Sequence, residues 1–384
     1  GNVRRSAALA LGEADDYRYL EMKNDQEKLY HHRWGSNNSF NAEVGMDYTW
    51  HAEQSQKNGE PGYIWLNNAR TRGRFKDPER FDDINVAGFN PCVEQQLEDA
   101  ELCCLVETYP AKHDDIDDYL KTLKIAYLYG KTITLSNTHW PETNAKMLKN
   151  RRIGLSQSGV VQAFNKFGRR AMYDMCDKAY EHVKHLDEEY SNWLCIPKSV
   201  RMTSIKPSGT VSLLNGSTPG IHFPESEYYI RRIRFSNTSK LLPDLEKAGY
   251  KIEDDKYSPN TVCVEFPVHE PHYEKSKRDV SIWEQLEIAA QYQHYWADNS
   301  VSVTVSFTPS EATQIKGALE MYESRLKAVS FLKYEETGYE QAPYESITKK
   351  EYEKISKDIK PIQRFHFDEG GIGSKFCTND TCEI

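Results

Sequence analysis

Val301-Ser302-Val303-Thr304-Val305-Ser306-Phe307-Thr308-Pro309-Ser310-Glu311 is the stretch that decides the fold class. Val301, Val303, Val305 and Phe307 alternate with polar residues, which is the period of a β-strand. Thr308 to Glu311 reads as a capping box with proline at the first helical position. The pattern predicts a helix from there to about Leu326 and a second strand over 328–332. Strand, helix, strand at this spacing is a βαβ unit, so the expected class is α/β with a parallel sheet or barrel.

Working outward, Met172, Met175, Ala179, Val183, Leu186 and Tyr190 mark the apolar stripe of a long helix. Ile116, Leu120, Leu123 and Tyr127 predict another, which Gly130 is expected to stop. Ile133 and Leu135 then read as a strand, as do 102–107 and 7–11. Ser36-Asn37-Asn38-Ser39 reads as a polar turn, and 59–91 as loop-rich. Residues 346–370 are rich in Lys, Glu and Asp and precede Gly370-Gly371-Ile372-Gly373, the pattern of a helix and then a flexible tether.

The chain has 384 residues, enough for one large α/β domain or two average ones. Its net charge of −9 argues against non-specific binding to nucleic acid or a membrane surface. No apolar run approaches the length of a membrane span. Eight cysteines are too sparse for a secreted disulfide scaffold, and nothing near residue 1 reads as a signal peptide. A reducing, cytoplasmic location is expected. The chain opens on Gly1 and its first residues read as the middle of something, so a piece of a longer protein is expected.

The chemistry centres on Asn90-Pro91-Cys92-Val93-Glu94. Pro91 stiffens the backbone before Cys92, which suits a thiol presented at a loop tip. In an extended loop Glu94 points the same way as Cys92 and could act as a general base. The alternative is a buried structural cysteine with Glu94 on the surface. Cys103 follows eleven residues after Cys92 and has Cys104 beside it. Strand neighbours face opposite sides, so only one of the two can face a site with Cys92; both could equally be core. Cys377 and Cys382 lie near the end of the chain, where reversible disulfide exchange is favoured over a zinc half-site. No second Cys/His pair is spaced to complete such a site, and no metal is expected. Lys206-Pro207-Ser208-Gly209-Thr210-Val211-Ser212 has the small hydroxyl residues and glycine of an anion-binding turn, or of an ordinary helix cap. Cys176, Cys195 and Cys263 read as core, and His31 and His32 lack partner spacing for a metal.

Taken together, these residues resemble the ribonucleotide reductases, and most closely the adenosylcobalamin-dependent, monomeric ribonucleoside triphosphate reductases. The matching stretches are Gly1 to Ala7, Arg33 to Ser39, Asn90 to Glu94, Lys206 to Leu214, Thr218 to His222, and the pair Cys377 and Cys382. The resemblance implies a ten-stranded α/β barrel of two half-barrels with a radical loop threading the middle. Here that barrel is expected to be incomplete, because the likeness is to the C-terminal half of the enzyme. The implied divisions are 1–85 for the end of the first half-barrel and the lead-in, 86–345 for the radical loop and second half-barrel, and 346–384 for a helix and redox tail.

The resemblance also implies roles. Cys92 becomes a thiyl radical, Glu94 takes the 3′-hydroxyl proton and Asn90 holds the substrate. Cys103 is one member of the reducing dithiol. Cys377 and Cys382 re-reduce that dithiol and are themselves reduced by thioredoxin. Pro207, Ser208, Gly209, Thr210 and Val211 hold the substrate phosphates. The implied cofactor is adenosylcobalamin, the implied substrate a ribonucleoside triphosphate, and a nucleotide effector would bind mostly outside this chain. The alternatives are the large chain of an iron-dependent two-subunit reductase, or an inactive remnant or redox-tail module.

Overall fold

The computed structural model describes residues 8–24, 36–209, 211–256, 258–334 and 340–362. Thr210, the stretches 1–7 and 25–35, and the tail with Cys377 and Cys382 lie outside the described residues, as do His31 and His32. The described residues divide into two units, one from Gly1–Phe223 and Arg278–Tyr334, the other from Pro224–Lys277 and Glu335–Ile384.

In the first unit, β1 (Ala8–Glu13), β2 (Ser36–Asn41) and β3 (Gly62–Ile64) run parallel to one another. A short antiparallel hairpin follows, made of β4 (Gly88–Phe89) and β5 (Gln96–Leu97). β6 (Leu105–Thr108) pairs in parallel with β7 (Gly154–Gln157). β8 (Tyr228–Ser236), β9 (Lys251–Asp254) and β10 (Thr261–His269) belong to the second unit. β11 (Thr304–Phe307) and β12 (Ala328–Lys333) then pair in parallel in the first unit.

Two isolated parallel bridges, Leu155 to Thr203 and Ile205 to Val301, carry the pairing from β7 towards β11. Parallel backbone thus runs from β6 through β7, 203–205 and 301–307 to β12. At its far side β12 pairs antiparallel with β3, Ala328 opposite Ile64. That seam joins two sets of parallel strands, and among the described residues the sheets do not close into a barrel. This is the incomplete α/β barrel that the sequence leads one to expect.

Helices α1 (Ile116–Ile133), α2 (Arg169–Leu194), α3 (Ile282–Tyr295) and α4 (Ile315–Tyr322) cover the strands. α1 starts where Asp115 accepts a hydrogen bond from the Asp118 amide, an N-cap followed by two acidic residues in the first turn. It does not stop at Gly130. A Cβ there would stand 3.1 Å from Val106 and 3.2 Å from Ile153, so the glycine serves close packing of the helix on β6 and β7. Ile133 therefore ends a helix, Leu135 lies beyond it, and the strand expected at both is absent. α2 buries Met172, Met175, Cys176, Ala179, Val183, Leu186 and Tyr190, as its stripe predicts. Each fully buried apolar side chain of this kind contributes about 1.5–3 kcal/mol. Cys195 is not core: it caps α2 in the left-handed region at φ 53° and is exposed. Cys263 is buried as expected.

The βαβ unit is present, but its helix starts late. Glu311 accepts from the Thr308 amide and hydroxyl, half of a capping box, and also from the Ile282 amide. A short 3-10 turn, Ala312–Gln314, intervenes before α4. The larger correction concerns Ser36 to Ser39, which form a fully buried strand and not a turn.

The second unit is an antiparallel sheet in the order β13 (Tyr344–Ser346), β8, β10, β9. α5 (Lys349–Ser356) opens on a reciprocal capping box between Thr348 and Glu351. Tyr352 rests on Tyr228 with ring centroids 5.1 Å apart. Among the described residues no helix is long and apolar enough to cross a membrane.

Candidate active site

Asn90 to Gln95 form the loop of the β4–β5 hairpin. The loop is closed at its neck: the Asn90 amide donates to Gln95 O at 3.0 Å, and the Gln95 amide donates to Asn90 Oδ1 at 3.0 Å. Asn90 is buried, and its side-chain oxygen helps to shape this loop. Val93 takes φ 66°, so the loop turns sharply instead of running extended. The loop is therefore not the extended segment expected from the sequence; in it Cys92 is half-buried and Glu94 fully buried.

The hairpin is anchored at both ends. At the tip, Ser302 Oγ donates to Cys92 O at 2.5 Å and Asn37 Nδ2 to Pro91 O at 3.3 Å. Further along, Ser204 Oγ and the Ser300 amide both donate to Glu94 O at 3.1 Å. At the base, Gln96 Nε2 donates to Asp83 Oδ2 at 3.2 Å. Asp83 belongs to a fully buried ion cluster, with Arg152 2.7 Å from Asp83 and 3.0 Å from Glu101. Burial alone would raise Asp83, but the guanidinium groups of Arg152 and Arg201 outweigh it and hold the carboxyl at about 2.

Cys92 opens onto a cleft lined among others by Asn37, Ser39, Pro207, Ser302 and Thr304. Burial pushes the Cys92 thiol up to about 11, with the Glu94 charge adding to the rise and Lys206 opposing it. Cys103 lies in the same electrostatic neighbourhood. Although it is exposed as a residue, the protein packed around its thiol pushes it up as well, helped again by Glu94. Lys206 Nζ meets Glu94 Oε1 at 3.0 Å, while Glu94 Oε2 has no hydrogen-bond partner among the described residues. A buried carboxylate with one oxygen paired and the other open can accept a proton from a bound group. Cys104 faces away: it is buried, and its thiol approaches Gly130 O at 3.6 Å.

No family model matches the chain. A probable adenosylcobalamin-dependent ribonucleoside-triphosphate reductase of Dictyostelium discoideum is 46% identical over 394 residues, covering 100% of this chain and 52% of that protein. The adenosylcobalamin-dependent ribonucleoside-triphosphate reductase of Euglena gracilis is 44% identical over 393 residues, covering 100% of this chain and 54% of that protein. A solved B-12-dependent, class II ribonucleotide reductase superposes with a TM-score of 0.81 at 36% identity, over 91% of this chain and 53% of that one. The chain belongs to the ribonucleotide reductase family. It spans about half the length of the curated relatives it matches. The class Id ribonucleotide reductase alpha subunit of Actinobacillus ureae shares the fold, with a TM-score of 0.59 at 14% identity over 82% of this chain and 68% of that one.

In this ribonucleotide reductase chain the structure brings Cys92, Glu94 and Cys103 together, and Pro207 joins Cys92 at the cleft. Ser208 is buried and Val211 exposed, with Val211 O accepting from Tyr109. The anticipated turn opens not on an α-helix but on a 3-10 helix, Ser212–Asn215, with Ser208 Oγ accepting from the Ser212 amide. Among the described residues no group of three or more His, Cys, Asp or Glu side chains is placed to hold a metal. Sequence reasoning missed Lys206 as the partner of Glu94, and missed Asn37, Ser39, Ser302 and Thr304 as lining. Their signal was present: Asn37 and Ser39, like Ser302 and Thr304, lie two apart on a strand and so share a face.

Proposed function

We propose that the protein to which this chain belongs reduces ribonucleoside triphosphates to 2′-deoxyribonucleoside triphosphates, with Cys92 as its radical residue. One observation carries the reading: a half-buried thiol, whose burial opposes ionisation, stands at a hairpin tip beside an incompletely paired buried carboxylate. A radical can take a hydrogen atom only from S–H, so a thiol that resists ionisation suits that task and a reactive thiolate does not.

The residues present fit the adenosylcobalamin named in the relatives, because Cys92 keeps its hydrogen and remains partly accessible. When bound, that cofactor supplies the radical that converts the Cys92 thiol to a thiyl. Cys92 then removes the 3′ hydrogen of the ribose and later returns it. Glu94 takes the 3′-hydroxyl proton, and Asn90 holds the loop and the substrate. The 2′ C–O bond breaks and the hydroxyl leaves as water. A dithiol that includes Cys103 supplies the two electrons and becomes a disulfide. Cys377 and Cys382 would re-reduce it, with thioredoxin as the external reductant. The turn Pro207, Ser208, Gly209, Thr210 and Val211 takes the substrate phosphates. A nucleotide effector regulates the enzyme from a site mostly outside this chain, and the location is the cytoplasm. On this reading residues 1–85 are the end of the first half-barrel and the lead-in to the radical loop, 86–345 the radical loop and second half-barrel, and 346–384 the helix and redox tail.

The test is turnover of the four ribonucleoside triphosphates by the natural-length protein with adenosylcobalamin and a dithiol, beside a Cys92→Ser control. Cobalamin-dependent turnover that vanishes in the control supports the proposal. Turnover that instead requires an iron-containing partner subunit assigns the chain to the two-subunit class. Cobalamin-dependent turnover that survives Cys92→Ser overturns the role of Cys92.

A further inference from the structure

We propose that Glu107 is a positioning residue that clamps two turns of the site, 206–212 and 217–220, to β7 through the hydroxyls of Ser156 and Ser158. The proposal rests on the reading of the first turn as the place where substrate phosphates bind.

Glu107 stands on β6 directly opposite Ser156 of β7. Its Oε1 accepts from Ser156 Oγ at 3.2 Å and from Ser158 Oγ at 2.6 Å. A hydroxyl has a single proton to donate. With that proton committed to Glu107, each serine turns its lone pairs outward, and each receives one backbone amide. The Lys206 amide donates to Ser156 Oγ at 2.8 Å, and the Gly220 amide to Ser158 Oγ at 2.9 Å. One carboxylate oxygen thereby fixes the orientation of both acceptors.

The two turns are also bound to each other. The Ser217 amide donates to Ser212 O at 2.9 Å. Gly220 takes φ +51°, and a Cβ there would stand 2.5 Å from Lys206 O, so the second turn lies directly against the root of the first. The second turn is not secured by its own hydroxyls: Ser217 Oγ and Thr218 Oγ1 are buried without a hydrogen-bond partner among the described residues. Its anchors on β7 and the adjoining backbone are the Ser158 bond, the Gly159 amide on Thr218 O at 2.8 Å and the longer bond of the Val160 amide to Gly220 O at 3.3 Å. The clamp also has an electrostatic side. Burial pushes the Glu107 carboxyl up to about 7, the serine hydrogen bonds and Lys206 pull it down, and Glu94 pushes it up.

Glutamine keeps a carbonyl oxygen that can accept from both serines, whereas alanine does not, so the two variants separate geometry from charge. Hydrogen–deuterium exchange on the natural-length protein reads the clamp, over peptides spanning 206–212 and 216–222. Steady-state kinetics with a ribonucleoside triphosphate reads the use made of it. Glu107→Ala is expected to speed exchange in both peptides and raise KM about tenfold, the scale of one lost hydrogen bond, with kcat changed much less. Glu107→Gln is expected to restore both to within about twofold. Unchanged exchange in Glu107→Ala overturns the clamp. Equal loss of kcat in both variants overturns it too, since that is the signature of an acid or base. Faster exchange with unchanged KM leaves the clamp standing and overturns the phosphate assignment of the turn. Ser156→Ala and Ser158→Ala, each releasing one turn, carry the same test should Glu107→Ala fail to fold.

Discussion

The Cys92 thiol gives the sharpest prediction, because two effects oppose each other and their sizes can be compared. Burial and the Glu94 charge raise the thiol from an ordinary 9.0 to about 11. At pH 7.5 this lowers the thiolate fraction about a hundredfold relative to an unperturbed cysteine. The thiolate that does form is the stronger nucleophile, by about six- to tenfold for a Brønsted coefficient of 0.4–0.5. The thiolate fraction wins, and reaction with an aromatic disulfide should be about tenfold slower than for a small model thiol, before steric shielding slows it further. The assay follows modification of the Cys92 peptide by mass spectrometry from pH 7 to pH 11. Its rate should still be rising at the alkaline limit. Glu94→Gln should move the midpoint down, since a charge that opposes the thiolate is removed, and Lys206→Met should move it up. A midpoint at or below about 9 would show a stabilised thiolate, and the argument that Cys92 is built to keep its hydrogen would be wrong.

Other perturbations test the frame around the thiol. Arg152→Met leaves Asp83 and Glu101 buried without their main cation, and should cost about 3–5 kcal/mol in a urea titration. Asp83 is held at about 2, so the stability it lends is complete above its unfolded value and is lost as the pH falls through about 2. Asp83→Asn should remove that acid-labile part, seen as a smaller drop in melting temperature between pH 4 and pH 2. Gly220→Ala meets both a positive φ and the Lys206 carbonyl, and should cost about 1–3 kcal/mol while displacing the 206–212 turn. Ser302→Ala removes the hydroxyl that holds Cys92 O, and should speed amide exchange across 90–95 about tenfold with little change in global stability.

The fold was legible where hydrophobic periodicity reports burial. The stripe of α2 and the β11–α4–β12 unit are of that kind, because one face meets the core. The errors share a cause. Ser36 to Ser39 look like a turn because their side chains are polar, and Ser302, Thr304 and Ser306 go unrecognised as part of the site because polar residues on a strand carry no sign of burial. All seven are buried. Asn37, Ser39, Ser302 and Thr304 face a polar cleft, so hydropathy reads an inward-facing site as an outward-facing surface. Gly130 misleads in a different way, since a glycine that admits a strand against a helix looks the same in sequence as one that ends the helix. The pairing of Glu94 with Lys206, 112 residues apart, has no local signal at all.

Lys206 links the two halves of the site through different atoms. Its ammonium sets the charge beside Glu94 and Cys92, and its amide is held by Ser156 and hence by Glu107. Burial alone would lower the Lys206 ammonium, but Glu94 and the other acidic groups around it raise it, so it stays charged where two thiols and two carboxyls would otherwise crowd together. Without that cation Glu94 would lose its ion pair, and the Cys92 thiol would rise further. Side chain and backbone can be separated by substitution. Lys206→Met removes the ammonium and keeps the amide bond to Ser156, so it should alter the titration of Cys92 while exchange across 206–212 stays as in the wild type. Glu107→Ala should do the reverse at the turn. If both variants moved both readouts together, the thiol and the turn would be one rigid cluster and not two functions joined at a single residue.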